Sequence, residues 1–348
     1  NTLNGYTTGV VNAATVTTLT GNNADVVIAY AANSAGTISG LGNEAVTLAD
    51  TSITAALITA TDALTSGVVD ASSVTTITSG TAAAANTLYA ANAAGTVSGL
   101  GNEAVTISDI TLAANVLNTL DGYTTGTVNA STVTTLTGAA ADANTALTSD
   151  GISNLGNEAV TLSDTTLAAS VLNTLNGNTT GVVNASTVTT LTGAAADANT
   201  AYVANTAGTI SNLGDEAVTL TDTTLGADVL NTLNGYTTGV VNAGTVTTLT
   251  GAYSDVNSSY SANTAGTISG LGDEAVTLSD LSISATNASS IDALTSGVVT
   301  VSATTITGTY LELNTLYTAN TAGTISGLGD EAITASGTLT VAQVNTLA

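Results

Sequence analysis

One block of residues recurs six times with small changes, most fully as Gly208-Thr-Ile-Ser-Asn-Leu-Gly-Asp-Glu-Ala-Val-Thr-Leu-Thr-Asp-Thr-Thr-Leu225. Its Leu-Gly-(Asn/Asp)-Glu-Ala core places Glu44, Glu103, Glu158, Glu216, Glu274 and Glu331 at a nearly constant interval. A period of roughly 58 residues, held this regularly, means one supersecondary unit copied and stacked. Such an array grows along one axis, so a length of 348 residues does not demand several globular cores. The expected organisation is a single tandem array over 1–348. Its units run roughly 9–66, 67–125, 126–180, 181–238, 239–296 and 297–348. The chain opens on Asn1-Thr-Leu3 and closes on Asn345-Thr-Leu347, near the same phase of the repeat, which suggests a window of a longer array.

A second anchor marks the other half of each unit. Gly181-Val-Val-Asn-Ala-Ser-Thr-Val-Thr-Thr-Leu-Thr192 recurs from Gly9, Gly67, Gly126, Gly239 and, more loosely, Gly297. The anchors interleave, so each double repeat divides into two coils of about 29 residues, about 12 in all. In Glu216-Ala-Val-Thr-Leu-Thr-Asp222, alternation puts Val218 and Leu220 inward and Thr219 and Thr221 outward, a strand pattern. Thr-Ile-Ser and Gly-Val-Val read as short strands before turns. Val188 and Leu191, three apart, imply a bend.

The segment Asp164–Gly177 reads as a helix, with Leu167, Val171, Leu172 and Leu175 on one face, Asp164 as N-cap and Gly177 as stop. In the other half, Ala198, Ala201 and Tyr202 face inward with Thr192 as cap. The last copy is richer, with Leu311, Leu313, Leu316 and Tyr317. The expected fold is an α/β repeat solenoid of short parallel strands and short helices. Strands stack at about 4.8 Å and helices at about 8–10 Å. That mismatch keeps an all-β solenoid open as the alternative. The third unit is shorter, which a turn can absorb.

Charge narrows the function. The chain has 25 acids, no Lys, Arg or His, and a formal net charge of -25. Nothing can neutralise a nucleic-acid phosphate or an anionic membrane. Apolar runs such as Val26–Ala32 are too short to span a bilayer, which needs roughly 18 residues or more. Without His, Cys or Lys there is no ordinary base or nucleophile, so an enzyme is not expected. The recurrent acids are the candidate ligands: Glu103, Asp109, Asp215, Glu216, Asp222, Asp273, Glu274, Asp280, Asp330 and Glu331. Stacked acidic ladders would suit Ca²⁺, which takes about 6–8 oxygen ligands. The plainer reading is that each Asp caps a helix and each Glu is solvated. Thr-x-Thr rows also allow ice binding, although β-propensity alone explains threonine on an exposed strand face.

Leu-Gly-Asn-Glu-Ala-Val-Thr-Leu-Ser-Asp, Leu-Asn-Thr-Leu-Asp-Gly and Val-Asn-Ala-Ser-Thr-Val-Thr-Thr-Leu-Thr-Gly resemble the tandem repeats of giant cell-surface and secreted proteins of marine unicellular cyanobacteria. The resemblance covers essentially the whole chain. It implies an extracellular structural or adhesive protein: a filament, a surface layer or an adhesin stalk in calcium-rich water. Its partners would be further copies of itself, end to end or side by side, or cell-surface components. It supplies no catalytic residue.

Overall fold

A computed structural model describes residues 1–347. It is an α/β repeat solenoid, with short parallel strands alternating with helices, and not the all-β alternative. Residue contacts group the chain into two compact units. One holds residues 1–163 and 175–183, the other 164–174 and 184–348.

The second unit shows the repeat in full. Strands Ile210–Ser211, Ala217–Leu220 and Thr224–Gly226 lead into the helix Ala227–Tyr236. Two strands, Val241–Asn242 and Thr248–Gly251, then lead into the helix Tyr253–Ala265. Three strands follow that helix in turn: Ile268–Ser269, Ala275–Leu278 and Ser282–Ser284. The helix-bearing coils therefore alternate between two strands and three.

Hydrogen bonding joins every second strand. One row runs from Thr166–Ala168 through Thr190–Gly193, Ala217–Leu220 and Val241–Asn242 to Ile268–Ser269. A new row starts at Thr224–Gly226 and another at Ser282–Ser284, one per double repeat. Each full row takes the five kinds of strand once and stops. The extra strand of every second coil shifts the rows by one position, so the two half-repeats are not equivalent and the full repeat carries the pattern.

Each row is built on one apolar ladder. Leu167, Leu191, Val218, Val241 and Ile268 lie in register and are 0–6% exposed. In the first unit Ile53, Ile77, Val105, Val128 and Ile152 form the same ladder. Alternation thus predicted the strand faces correctly: Val218 and Leu220 are buried. Small residues line the buried helix faces, with Ala195, Ala198 and Ala201 at 0–1% exposure beside Tyr202. Consecutive helices pack on one another in both units.

Several details differ from the sequence reading. The helix expected from Asp164 begins at Ala169, because Thr166–Ala168 pairs with Thr190–Thr192 as a strand. Leu167 shares a helical spacing with Val171, but stacking buries it in the ladder. Gly177 lies inside the helix Ala169–Asn178 and does not stop it. Thr192 is a strand residue, and Ala194 is the N-cap of Ala195–Ala207. Leu311 is exposed while Leu313 and Leu316 are buried. The deletion in the third unit also removes helix, since Ala140–Thr148 has 9 residues against 13 in Ala195–Ala207.

Candidate functional site

The recurrent acids meet partners that the sequence reading did not assign. Glu44, Glu103, Glu158, Glu216 and Glu274 are buried, at 0–1% exposure, and are not solvated. Each follows a glycine turn, and its carboxylate folds back onto that glycine's amide. Gly42 N–H donates to Glu44 at 2.8 Å, Gly214 N–H to Glu216 at 2.8 Å and Gly272 N–H to Glu274 at 2.8 Å. Asp273 and Asp330 add their own amides to Glu274 and Glu331.

A tyrosine from the preceding helix closes the other side. Tyr89 Oη donates to Glu103 at 2.8 Å, Tyr30 to Glu44 at 3.1 Å and Tyr202 to Glu216 at 3.1 Å. Tyr260 and Tyr317 donate likewise to Glu274 and Glu331. Burial, reinforced by the neighbouring carboxylate, pushes the phenols of Tyr30, Tyr89, Tyr202, Tyr260 and Tyr317 above the ordinary tyrosine value. Burial also raises Glu216. At Glu44 and Glu331 burial acts the same way, but the turn amides and the phenol outweigh it and hold both below the usual glutamate value.

The second sequence anchor belongs to this latch. Thr237 Oγ1 donates to the Glu216 carbonyl at 2.6 Å, and Gly239 N–H donates to Thr237 Oγ1 at 2.9 Å. A Cβ on Gly239 would lie 2.3 Å from the Glu216 carbonyl oxygen. The same approach recurs at Gly67, Gly126, Gly181 and Gly297. No side chain fits there, so the glutamate of one coil and the glycine of the next are fixed to each other. Thr65, Thr124, Thr179 and Thr295 repeat the threonine bond.

The third latch differs. Leu147 stands at the helix position that Tyr202 holds in the following copy, and Asn144 at that of Asn199, because the residues missing from this unit lie between the helix and Glu158. Tyr89 stacks on Tyr123 and Tyr202 on Tyr236, each pair with centroids 5.6 Å apart. Here Asn178 stands where Tyr236 does, and its Nδ2 donates to Asn144 Oδ1 at 2.9 Å. Neither ring position is aromatic in this copy, and a polar contact joins the two coils instead.

The aspartates cap helices, but not the helices that follow them. Asp222 Oδ2 accepts from Ala195 N–H at 2.8 Å, Asp109 from Ala82 at 2.8 Å and Asp280 from Tyr253 at 2.7 Å. Each carboxylate serves the start of an earlier helix, in the neighbouring coil. Asp50 does the same for Asn23. In the last copy Gly337 replaces the aspartate, and the helix it would serve, Tyr310–Ala322, carries its own capping box of Thr309 and Glu312.

The structure therefore brings Glu103, Glu216, Glu274 and Glu331 to tyrosines, and Asp109, Asp222 and Asp280 to helix starts. Asp215, Asp273 and Asp330 lie exposed in the turns before the glutamates. Among the described residues no group of three or more His, Cys, Asp or Glu side chains is arranged to hold a metal ion. Sequence reading turned Tyr202 inward but missed its pairing with a glutamate, and it missed the latch threonine, though Tyr89 and Thr124 stand at distances from Glu103 that recur in other copies. No family model, curated protein or solved structure matches this chain.

Proposed function

We propose that this chain is a structural array, a length of scaffold in an extracellular filament, surface layer or adhesin stalk. The observation that supports this reading is how the recurrent acids are used. Each buried glutamate serves a contact between coils, and most of the recurrent aspartates cap a neighbouring helix. Residues spent in this way make the stack rigid and repetitive. Among the described residues no helix is long and apolar enough to cross a membrane, which is compatible with an exported array. Its partners would be further copies or cell-surface components.

Thermal melting in EDTA, in a few millimolar CaCl₂ and in NaCl of equal ionic strength tests the reading. A passive scaffold of net charge -25 responds to both salts through screening alone. A rise specific to Ca²⁺ would replace the scaffold reading with a calcium-dependent adhesion module.

A further inference from the structure

One position near the end of the shorter helix of each repeat changes identity between copies. It is Asp62, Asp121 and Asp292 in three repeats and Asn4, Asn176 and Asn234 in the other three. Every aspartate here accepts a hydroxyl from the next coil. Thr96 Oγ1 donates to Asp62 at 3.0 Å, Ser149 Oγ to Asp121 at 2.7 Å and Thr324 Oγ1 to Asp292 at 3.1 Å. Every asparagine has a buried Oδ1 with no hydrogen-bond partner, although Asn4 reaches the matching hydroxyl through its amide, Nδ2 donating to Thr37 Oγ1 at 3.2 Å. In the Asn234 copy the matching hydroxyl, Thr267 Oγ1, donates to the carbonyl of Ala262 at 3.4 Å, a contact that Thr96 also makes to Ala91 at 3.5 Å beside its bond to Asp62. The site is built for a carboxylate, and an amide leaves part of it unsatisfied.

The following residue matters too. Each of the three asparagines precedes a glycine, as Asp121 precedes Gly122, whereas Asp62 and Asp292 precede Ala63 and Ala293. Gly177 and Gly235 have no structural need to be glycine. Neither has a positive φ, and a Cβ at either meets nothing within 4 Å. Glycine in a helix weakens it. Its chemical consequence is that the preceding asparagine is unusually open to attack by the next amide nitrogen.

We propose that Asn176 and Asn234 are latent aspartates, converted in the folded chain by their own Asn-Gly sequences. The Gly177 or Gly235 nitrogen attacks the asparagine Cγ. The Cγ–Nδ2 bond breaks and ammonia leaves with the displaced proton, closing a succinimide. Water then opens the ring, so that water enters and ammonia departs with no change of oxidation state. Both asparagines sit in the last turn of their helices, the part that frays most readily. Opening to the normal aspartyl linkage preserves the backbone length and, at residue 234, presents a carboxylate to Thr267. The aged coil then carries the contact already present at Asp62 and Asp292.

The test incubates the folded full chain at mildly alkaline pH and maps its peptides by mass spectrometry. Conversion is expected at Asn176 and Asn234 and not at Asn173 and Asn231, which precede Thr174 and Thr232. The Gly177→Ala/Gly235→Ala variant, which takes the residue found at Ala63 and Ala293, should fold and convert at least an order of magnitude more slowly. Separately, Asn234→Asp should melt at or above the parent temperature, and Thr267→Val should lower the melt more in that background than in the parent. No conversion, equal conversion at Asn173 and Asn231, or an Asp variant that melts well below the parent would overturn the proposal.

Discussion

The glutamate latch places an acid in a core that contains no cation, so its stability rests on neutral donors. A hydrogen bond to a charged group contributes roughly 1.5–3 kcal/mol, and stranding a buried acceptor costs at least as much as the lost bond. Tyr202→Phe should therefore destabilise the chain by about 1–3 kcal/mol, seen as a lower midpoint in denaturant titration. The pH dependence follows from the phenols. The fold keeps tyrosine neutral and raises its pKa, so this contribution is complete below the free value of about 10 and is lost as pH rises through the folded value. Five of the ten tyrosines are held this way, and they should ionise only as the chain unfolds in alkali. Phenolate absorbance followed beside circular dichroism checks this. Simultaneous titration of all ten before any loss of ellipticity would contradict it. On the acid side the copies oppose each other. Glu44 and Glu331, held low, add stability above the free glutamate value that is lost as pH falls. Glu216, raised by burial, contributes in acid and loses that contribution as pH rises through its folded value. The melting temperature should accordingly fall less steeply in acid than in alkali. Glycine tests the packing side of the latch: Gly181→Ala pushes a Cβ to 2.2 Å from the Glu158 carbonyl oxygen, and should cost at least about 1–3 kcal/mol by equilibrium unfolding.

At the scale of the element, each helix depends on its neighbour for its start. The helix Ala195–Ala207 has no side-chain cap of its own, and Asp222 supplies the acceptor from the next coil. Asp222→Ala should cost about 0.5–2 kcal/mol, the usual range for losing a cap, read as a lower unfolding midpoint. Glu312→Ala should also lower the unfolding midpoint through the last full helix, because Gly337 offers no substitute. These dependencies also explain what was legible in the sequence. Strands were legible, because the alternation of Val218 and Leu220 reports a local choice of face. The helices were legible as elements, but their starts were not. Leu167 fits both a helical stripe and a strand ladder, and only the pairing of Thr166 with Thr190 decides between them. The acids were legible as a pattern, but the burial and partners of the glutamates were not. Glu216, beside an exposed turn, looks solvated until stacking brings Tyr202 and Gly239 onto it from either side in the chain. A cap such as Asp222, supplied from the next coil, lies beyond any reading that looks for capping within one helix.

For the molecule as a whole, the alternation of two-strand and three-strand coils sets which lengths of chain can be removed. Stability in such an array is close to a sum over units and their neighbouring contacts. Deleting 239–296 removes one full repeat. Gly297 then follows Thr238 and takes the place of Gly239 against Glu216, and a two-strand coil again follows the helix Ala227–Tyr236. The rows keep their order of strand kinds. Deleting only 239–266 removes one coil and gives a different result. Three strands would follow Ala227–Tyr236 where two belong, no glycine would pack on the Glu216 carbonyl, and Glu274 would lose Tyr260. The full-repeat deletion should melt within a few degrees of the parent as one cooperative transition, with ellipticity per residue unchanged. The half-repeat deletion should melt earlier and more broadly despite removing fewer residues. Equal melts for the two would mean that the single coil is the true unit. The drift of the strand rows would then carry no energetic weight, and the latch would contribute little to the stack.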